Sequence, residues 1–335
     1  MKDDMPARNW SRRVAIQAGA GALFAPAFVA ATTSAAQDDS PPVDSDGVER
    51  HLPWTGAPPD LAPARTGLVE LGDLRLWVSD SGGSGEPVVF FHPGSVPGSI
   101  WKYQQPVFSG KGYRVILWSR RGYNGSEAVA SGRSGQGADG DDLLALLGLL
   151  GIDRFHGVGA AAGGITLLRF AIGQPDRLLS VTLAGTMGGI RDDSYAAIQK
   201  RLMPDGFEAM PLEFRELSPG YRAMNPDGMA AWLREAKAGR TAGGGAPPLP
   251  ATAHPATSPV GNDRMTWKSL EALTMPLLIM TGDADIYMPP AILPLFTAHA
   301  PHARTEVIDG AAHATYWEQP EQFNQMILGF LNSGK

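Results

Sequence analysis

The chain contains no cysteine, which removes thiol nucleophiles, disulfides and cysteine-ligated metals together. Histidine is scarce as well. The seven, His51, His92, His156, His254, His299, His302 and His313, show no HxH or HxxxH spacing, so a histidine-based metal site is not expected. Charged residues make up only 19% of the chain and the net charge is −6, with no long block of either sign. No surface for a nucleic-acid backbone is therefore implied. No internal repeat is present, and no glycine-rich phosphate loop follows the first strands. No metal or organic cofactor is implied, and the expected partner is a small-molecule substrate. What is abundant is apolar: 43% of 335 residues, enough for one large core in one or two domains.

The first 36 residues read as an address. Ser11-Arg12-Arg13 precedes a mildly apolar, Ala- and Gly-rich run over 14–31, and Ser34-Ala35-Ala36 offers small residues for cleavage before Gln37. Paired arginines ahead of a weak apolar core resemble a twin-arginine export signal, which implies a periplasmic or secreted protein. The run is short and weakly apolar for a membrane span, so no stable membrane association is expected after cleavage. Residues 37–65 are rich in Pro and Asp without an apolar period and read as a mobile linker.

From Thr66 the pattern is regular. Two strand-like runs flank Gly72-Asp73, a hairpin signal. PVVFF (87–91) and YRVILW (113–118) are continuous apolar runs of the kind buried on both faces of a parallel sheet. A helical pattern lies at 99–109, and a leucine-rich one at 138–151 opens with Asp139, Asp141 and Asp142, where the helix dipole favours anions. Strands follow at 154–159 and 179–184, then 276–281 and 304–308, with helices between and a closing helix at 320–331. Such alternation predicts a doubly wound, mostly parallel α/β sheet with helices on both faces. It breaks at 188–274, where helical patterns (192–202, 212–217, 226–238, 262–273) and a Gly/Pro/Ala-rich segment (241–259) predict a helical cap inserted after the sixth strand. The core is then 66–187 with 275–335.

Chemistry concentrates where strands end. Gly159-Ala160-Ala161-Ala162-Gly163 fits a G-x-S-x-G strand–turn–helix elbow everywhere except at its centre, which is Ala161. His92-Pro93-Gly94, Arg121-Gly122-Tyr123-Asn124-Gly125-Ser126, Gly282-Asp283-Ala284-Asp285-Ile286-Tyr287-Met288-Pro289 and Gly310-Ala311-Ala312-His313 with Glu318-Gln319-Pro320-Glu321-Gln322-Phe323 follow or flank the other strands. In this order they resemble the α/β-hydrolase superfamily over about residues 66–334: an HG-x oxyanion loop with Pro93 for glycine, an R-G-x-G-x-S loop, a G-x-x-D-x-x-x-P acid loop and a G-x-x-H…E-x-P-E-x-F ending. The resemblance implies Asp285 as catalytic acid and His313 as catalytic histidine. From the residues alone, Asp283 is an alternative acid.

An acid and a histidine on successive strand ends can meet at the carboxyl edge of the sheet, where the acid fixes the imidazole tautomer and makes it a usable base. Backbone N–H groups of Ala162 and of Gly94 or Ser95 are the oxyanion candidates; Pro93 has no N–H to give. Ser119, Tyr287 and Trp101 are candidate pocket residues, and His92 and His156 read as structural. A methyl group at 161 cannot attack a carbonyl, so an acyl-enzyme on that residue is excluded. Three explanations stand: a serine changed to alanine to trap substrate, a native enzyme using the His313–Asp285 dyad as a base, or a silent binding protein. The intact dyad and oxyanion turn favour the second, acting on a small, largely apolar carbonyl or ester. Met203, Met210, Met224, Met229 and Met265, with Phe207, Phe214, Tyr221 and Trp232, suit an adaptable apolar pocket.

Overall fold

A computed structural model describes residues 52, 54–72, 74–128, 139–239 and 265–333. The leader, the start of the linker, Asp73 and the whole of 241–259 lie outside the described residues. Among the described residues nine strands, β1 (Arg65–Leu71), β2 (Leu74–Asp80), β3 (Pro87–Phe91), β4 (Arg114–Trp118), β5 (Glu127–Ala128), β6 (Phe155–Ala160), β7 (Leu178–Ala184), β8 (Leu277–Gly282) and β9 (Arg304–Ile308), form one sheet. Its order is β1-β2-β4-β3-β6-β7-β8-β9, with β5 beside β2. β2 pairs antiparallel with β1, β4 and β5, and every other pairing is parallel. The two-residue β5 escapes a reading based on apolar runs, and it makes the helical insertion follow the seventh strand rather than the sixth.

Eleven α-helices surround the sheet among the described residues: α1 (Gln105–Gly110), α2 (Asp139–Leu150), α3 (Ala162–Gly173), α4 (Asp193–Leu202), α5 (Leu212–Glu216), α6 (Pro219–Met224), α7 (Pro226–Ala238), α8 (Trp267–Glu271), α9 (Leu293–His299), α10 (Thr315–Glu318) and α11 (Pro320–Asn332). None is long and apolar enough to cross a membrane. Successive side chains of a strand point to opposite faces, and β3 divides accordingly. Val89 and Phe91 join the core under α2, α3 and α9, whereas Val88 and Phe90 join the core under α1 and α11.

The chain runs from β3 outward to β4 and then returns to the other side of β3 with β6. A doubly wound sheet opens a crevice at such a reversal, outside the carboxyl ends of the two strands. The residues that leave β3 and β6 into that crevice are His92–Ser95 and Ala161–Ala162.

Between β7 and β8 the helices α4–α8 have no core of their own. Tyr195 of α4 is buried in one core of the sheet, and Tyr221 and Trp232 of α6 and α7 in the other. The short α6 falls between the helical patterns expected at 212–217 and 226–238. Ser218 is its N-cap, accepting from Tyr221 N at 3.0 Å, and Pro219 occupies the first helical position, which needs no N–H. The pattern expected at 99–109 is split into a 3-10 turn, Gly98–Ile100, and α1.

The linker expectation also changes within 37–65. Residues 54–64 have no regular structure, yet they strap the molecule. Trp54 N donates to Glu318 O (3.4 Å) and Trp54 O accepts from Asn225 Nδ2 (2.9 Å), joining α10 to the start of α7. Ala62 exchanges both backbone hydrogen bonds with the Gln105 amide at 2.8 and 3.0 Å. Composition misses this because the anchors are backbone groups.

Candidate active site

β8 and β9 deliver the acid and the histidine. His313 Nδ1 lies 2.9 Å from Asp285 Oδ2 and 3.1 Å from Oδ1, and both residues are buried. Asp285 Oδ1 accepts from Tyr287 N (2.8 Å) and Met288 N (3.0 Å), so the carboxylate is held by its own loop. Nδ1 is therefore the protonated nitrogen that donates to Asp285, which leaves Nε2 as the working atom. Burial disfavours the imidazolium, but the charge and hydrogen bond of Asp285, added to the smaller effects of the Glu216 and Glu318 charges, prevail and raise the His313 pKa to about 9. Asp283 turns elsewhere, its Oδ1 accepting from Ala311 N at 3.2 Å.

Ala161 is the junction of β6 and α3, and its backbone is strained: φ is 48° and ψ −119°, in a region that a residue with a Cβ rarely adopts. Its N–H donates to Ala184 O at the end of β7 (2.9 Å). The next residue, Gly185, faces the dyad, since a Cβ there would lie 3.0 Å from Asp285 Oδ2 and 3.2 Å from His313 Nδ1. The junction and the dyad thus meet across the end of β7. Gly159 and Gly163 let α3 approach the sheet; a Cβ on Gly163 would stand 2.1 Å from Phe91 O.

The loop after β3 is fixed from behind. His92 Nδ1 donates to Val96 O (2.6 Å) and Pro93 O (2.7 Å), and Nε2 accepts from Arg120 N (3.0 Å). Burial and the Arg120 charge push the His92 pKa well down, so it is a neutral brace. The Arg120 guanidinium donates to His92 O and Pro93 O (3.1 and 2.9 Å), and Tyr123 OH donates to Gly94 O. In planar trans peptides N–H and C=O point oppositely. With the carbonyls of Pro93 and Gly94 turned to Arg120 and Tyr123, the N–H groups of Gly94 and Ser95 point the other way. Gly94 is also beside the start of α3, since a Cβ on it would lie 3.4 Å from Ala162 Cβ.

Two carboxyl groups not singled out in the sequence complete the surroundings. Glu318 is fully buried and bridges the His313 loop to the insertion: Oε1 accepts from Ala312 N (2.9 Å) and Oε2 from Ser218 N (2.7 Å). Burial raises its pKa to about 7 despite these bonds. Glu216 ends α5, and its carbonyl accepts from Ala314 N (2.9 Å), pinning the insertion to the residue after His313. Glu318 had a signal, the first E of the ending motif. Glu216, in LEFRELSPG, had none.

Tyr287 stacks at 38° over His313 with ring centroids 4.3 Å apart, and its hydroxyl accepts from Arg215 Nη1 (3.2 Å). Ser119 lies under the site as a brace, its Oγ accepting from Gly98 N (2.9 Å). Trp101 is not a pocket residue. It is fully buried between Phe90 and Tyr316, both with centroids at 5.0 Å, because the turn after Gly98–Ile100 points it into the core under α1 and α11. Of the apolar residues expected to form a pocket, Tyr221, Trp232 and Met265 are core, and Phe214, Met210 and Met224 are exposed. Among the described residues no cluster of three or more His, Asp or Glu is arranged to hold a metal ion.

A mostly parallel sheet with a buried acid–histidine pair following its last two strands is the arrangement of the α/β-hydrolase superfamily. The chain belongs to the Alpha/beta hydrolase family, whose model matches residues 88–326. It is 27% identical over 282 residues to a 2-hydroxy-6-oxononadienedioate/2-hydroxy-6-oxononatrienedioate hydrolase of Pseudomonas sp., covering 76% of this chain and 91% of the relative. A thermophilic esterase from Thermogutta terrifontis has a similar structure, with a TM-score of 0.62, 25% identity and coverage of 81% of this chain and 99% of that one. The enol-lactonase of Burkholderia xenovorans shares the fold, with a TM-score of 0.62 at 20% identity over 79% of this chain and all of that one.

Proposed function

We propose that this is an exported enzyme that acts on a small, largely apolar carbonyl or ester-type substrate without a serine nucleophile. His313, oriented by Asp285, transfers the proton; the N–H of Ala162 with that of Gly94 or Ser95 holds the developing oxyanion; Ala161 occupies the nucleophile position and contributes no attacking atom. One observation carries the reading: a complete, buried His313–Asp285 pair lies beside Gly185, at the end of β7 to which a strained junction is bonded, and the residue of that junction is alanine. Glycine would adopt φ 48° without strain, so an alanine there is a residue held against its own preference. The relative from Pseudomonas is named as a hydrolase of 2-hydroxy-6-oxo unsaturated dicarboxylates, which carry a carbonyl and a 2-hydroxyl group, and proton transfer at such groups calls for a positioned acid–base residue. The residues from 188 to 274 are read as the cap of this site.

The test is reversal. Ala161→Ser keeps the junction and places a hydroxyl toward His313. In a native serine-free enzyme this variant gains less than about tenfold in hydrolysis of an activated ester, against the several orders of magnitude that restoring a missing nucleophile yields. Stoichiometric labelling of the serine form by an organophosphate together with a large gain in esterase rate would identify a disabled serine hydrolase instead. Export is tested separately: Arg12→Lys with Arg13→Lys should retain the full-length protein in the cytoplasm, and undiminished export of that variant defeats the twin-arginine reading.

A further inference from the structure

The mechanism above uses one proton-transfer group, but a second buried carboxyl group acts on His313 and has an oxygen without a hydrogen-bond partner. Glu216 is 6% exposed and its Oε2 has no hydrogen-bond partner. Ser95, 7% exposed, carries an equally unpartnered Oγ. The Ser95 hydroxyl is near enough to favour the ionised carboxylate of Glu216, though the two do not form a hydrogen bond of good geometry. Buried polar atoms are seldom left unpaired, because each forfeits its hydration. Two neighbouring ones within the electrostatic reach of His313, one from the insertion and one from the loop after β3, leave room for a polar group that the substrate brings.

We propose that Glu216 is the second proton-transfer residue of this site, working opposite His313 on an enolisable carbonyl substrate. This rests on the serine-free reading. The backbone sets the geometry, because Ala314 N holds Glu216 O at 2.9 Å and ties the end of α5 directly to the histidine loop. The two groups share one proton. In the form with neutral His313 and protonated Glu216, Nε2 takes the proton of an enol O–H, and its electron pair becomes the C=O bond. The C=C electron pair takes the Glu216 proton to form C–H. The ketone leaves with His313 as imidazolium and Glu216 as carboxylate, and transfer of one proton from His313 to Glu216 restores the start. No oxidant or nucleophile is required, and the reverse sequence enolises a ketone.

The charges around the pair put the shared proton mainly on His313, so the imidazolium–carboxylate form, which begins the enolisation direction, predominates, and the neutral-histidine form arises from it by proton transfer to Glu216. Burial raises the Glu216 pKa; His313 and Arg215 oppose that rise and Asp285 adds to it. His313 is faced by Asp285, Glu216 and Glu318, and the Glu216 charge also reaches the Tyr287 and Tyr316 hydroxyls. The active one-proton form thus lies between a lower limit set by Glu216 and an upper limit near the His313 value of about 9. Such limits belong to the pair rather than to either residue.

The experiment follows exchange of the α-hydrogens of 2-indanone for deuterium by NMR, across pH, with the full chain and with Glu216→Gln, Glu216→Asp and His313→Ala. The histidine Cε1 resonances are titrated in the same proteins. The expected result is a bell-shaped profile for the wild type. Glu216→Gln should lower the rate on the order of 10²-fold, remove the acid limb and shift the His313 titration to lower pH, and Glu216→Asp should restore part of the rate and the acid limb. A Glu216→Gln enzyme with unchanged rate and profile overturns the proposal, while loss of exchange in His313→Ala alone leaves the serine-free reading standing. If the wild type exchanges nothing, the serine-free reading is left to the Ala161→Ser reversal, and the titration decides the pair. A His313 titration coupled to Glu216 and lost in Glu216→Gln upholds proton sharing; one indifferent to that substitution refutes it.

Discussion

His313→Ala should reduce turnover by about 10²- to 10⁴-fold, the range over which a positioned general acid–base group contributes. The measurement is kcat/KM on whichever ester, lactone or enolisable ketone a substrate screen returns. The expectation follows from Nε2, the one nitrogen of His313 that Asp285 does not engage. Removing the imidazole also strands a buried carboxylate, and breaking a buried pair from one side destabilises by about 3–5 kcal/mol. His313→Gln and Asp285→Asn are therefore needed alongside, with melting curves for each, to separate lost chemistry from lost fold. A His313→Ala enzyme that folds and keeps its rate within a few-fold would remove the dyad from the mechanism.

The second large effect is structural. Gly163→Ala should cost about 3 kcal/mol or more, at the upper end of overpacking, because the new Cβ meets backbone and not a movable side chain. The atoms in the way are Phe91 O at 2.1 Å and His92 O at 2.6 Å, so α3 must lift off β3 and disturb both sides of the crevice together. Gly148 of α2 is the internal control. A Cβ there meets nothing within 4 Å, so Gly148→Ala should be neutral to stabilising by up to about 1 kcal/mol through helix propensity. Chemical denaturation of the two variants distinguishes these outcomes. Equal stabilities would mean that the close approach of α3 to β3 contributes nothing.

The parts of this molecule that were legible in the sequence are those written locally. Apolar runs such as PVVFF can lie only where both faces of a strand are covered. Gly159 and Gly163 flank a turn that nothing larger fits, and the acid and histidine loops follow strands recognisable by composition. What escaped is written between distant segments. Glu216 stands in a helical pattern without a motif, and it is the fold, through the bond from Ala314 N to its carbonyl, that brings the end of α5 to the histidine loop. Trp101 looked available beside the loop after β3, yet its direction is set by a 3-10 turn too short to carry a period. The strap over 54–64 is held by backbone carbonyls and amides, for which side-chain composition has no symbol.

The strand order has one more consequence, for how such a protein changes over generations. The loop of Gly94 hangs from β3, Ala161 from β6, Asp285 from β8 and His313 from β9, with β7 interposed. Neighbouring strands are about 4.8 Å apart whatever their side chains, so the sheet fixes the distances among these four groups independently of what stands at any one of them. A lineage can then exchange one functional group while inheriting the positions of the others unchanged. A substitution at the end of any one of these strands then changes a single group, while the spacing of the other three stays as the sheet sets it.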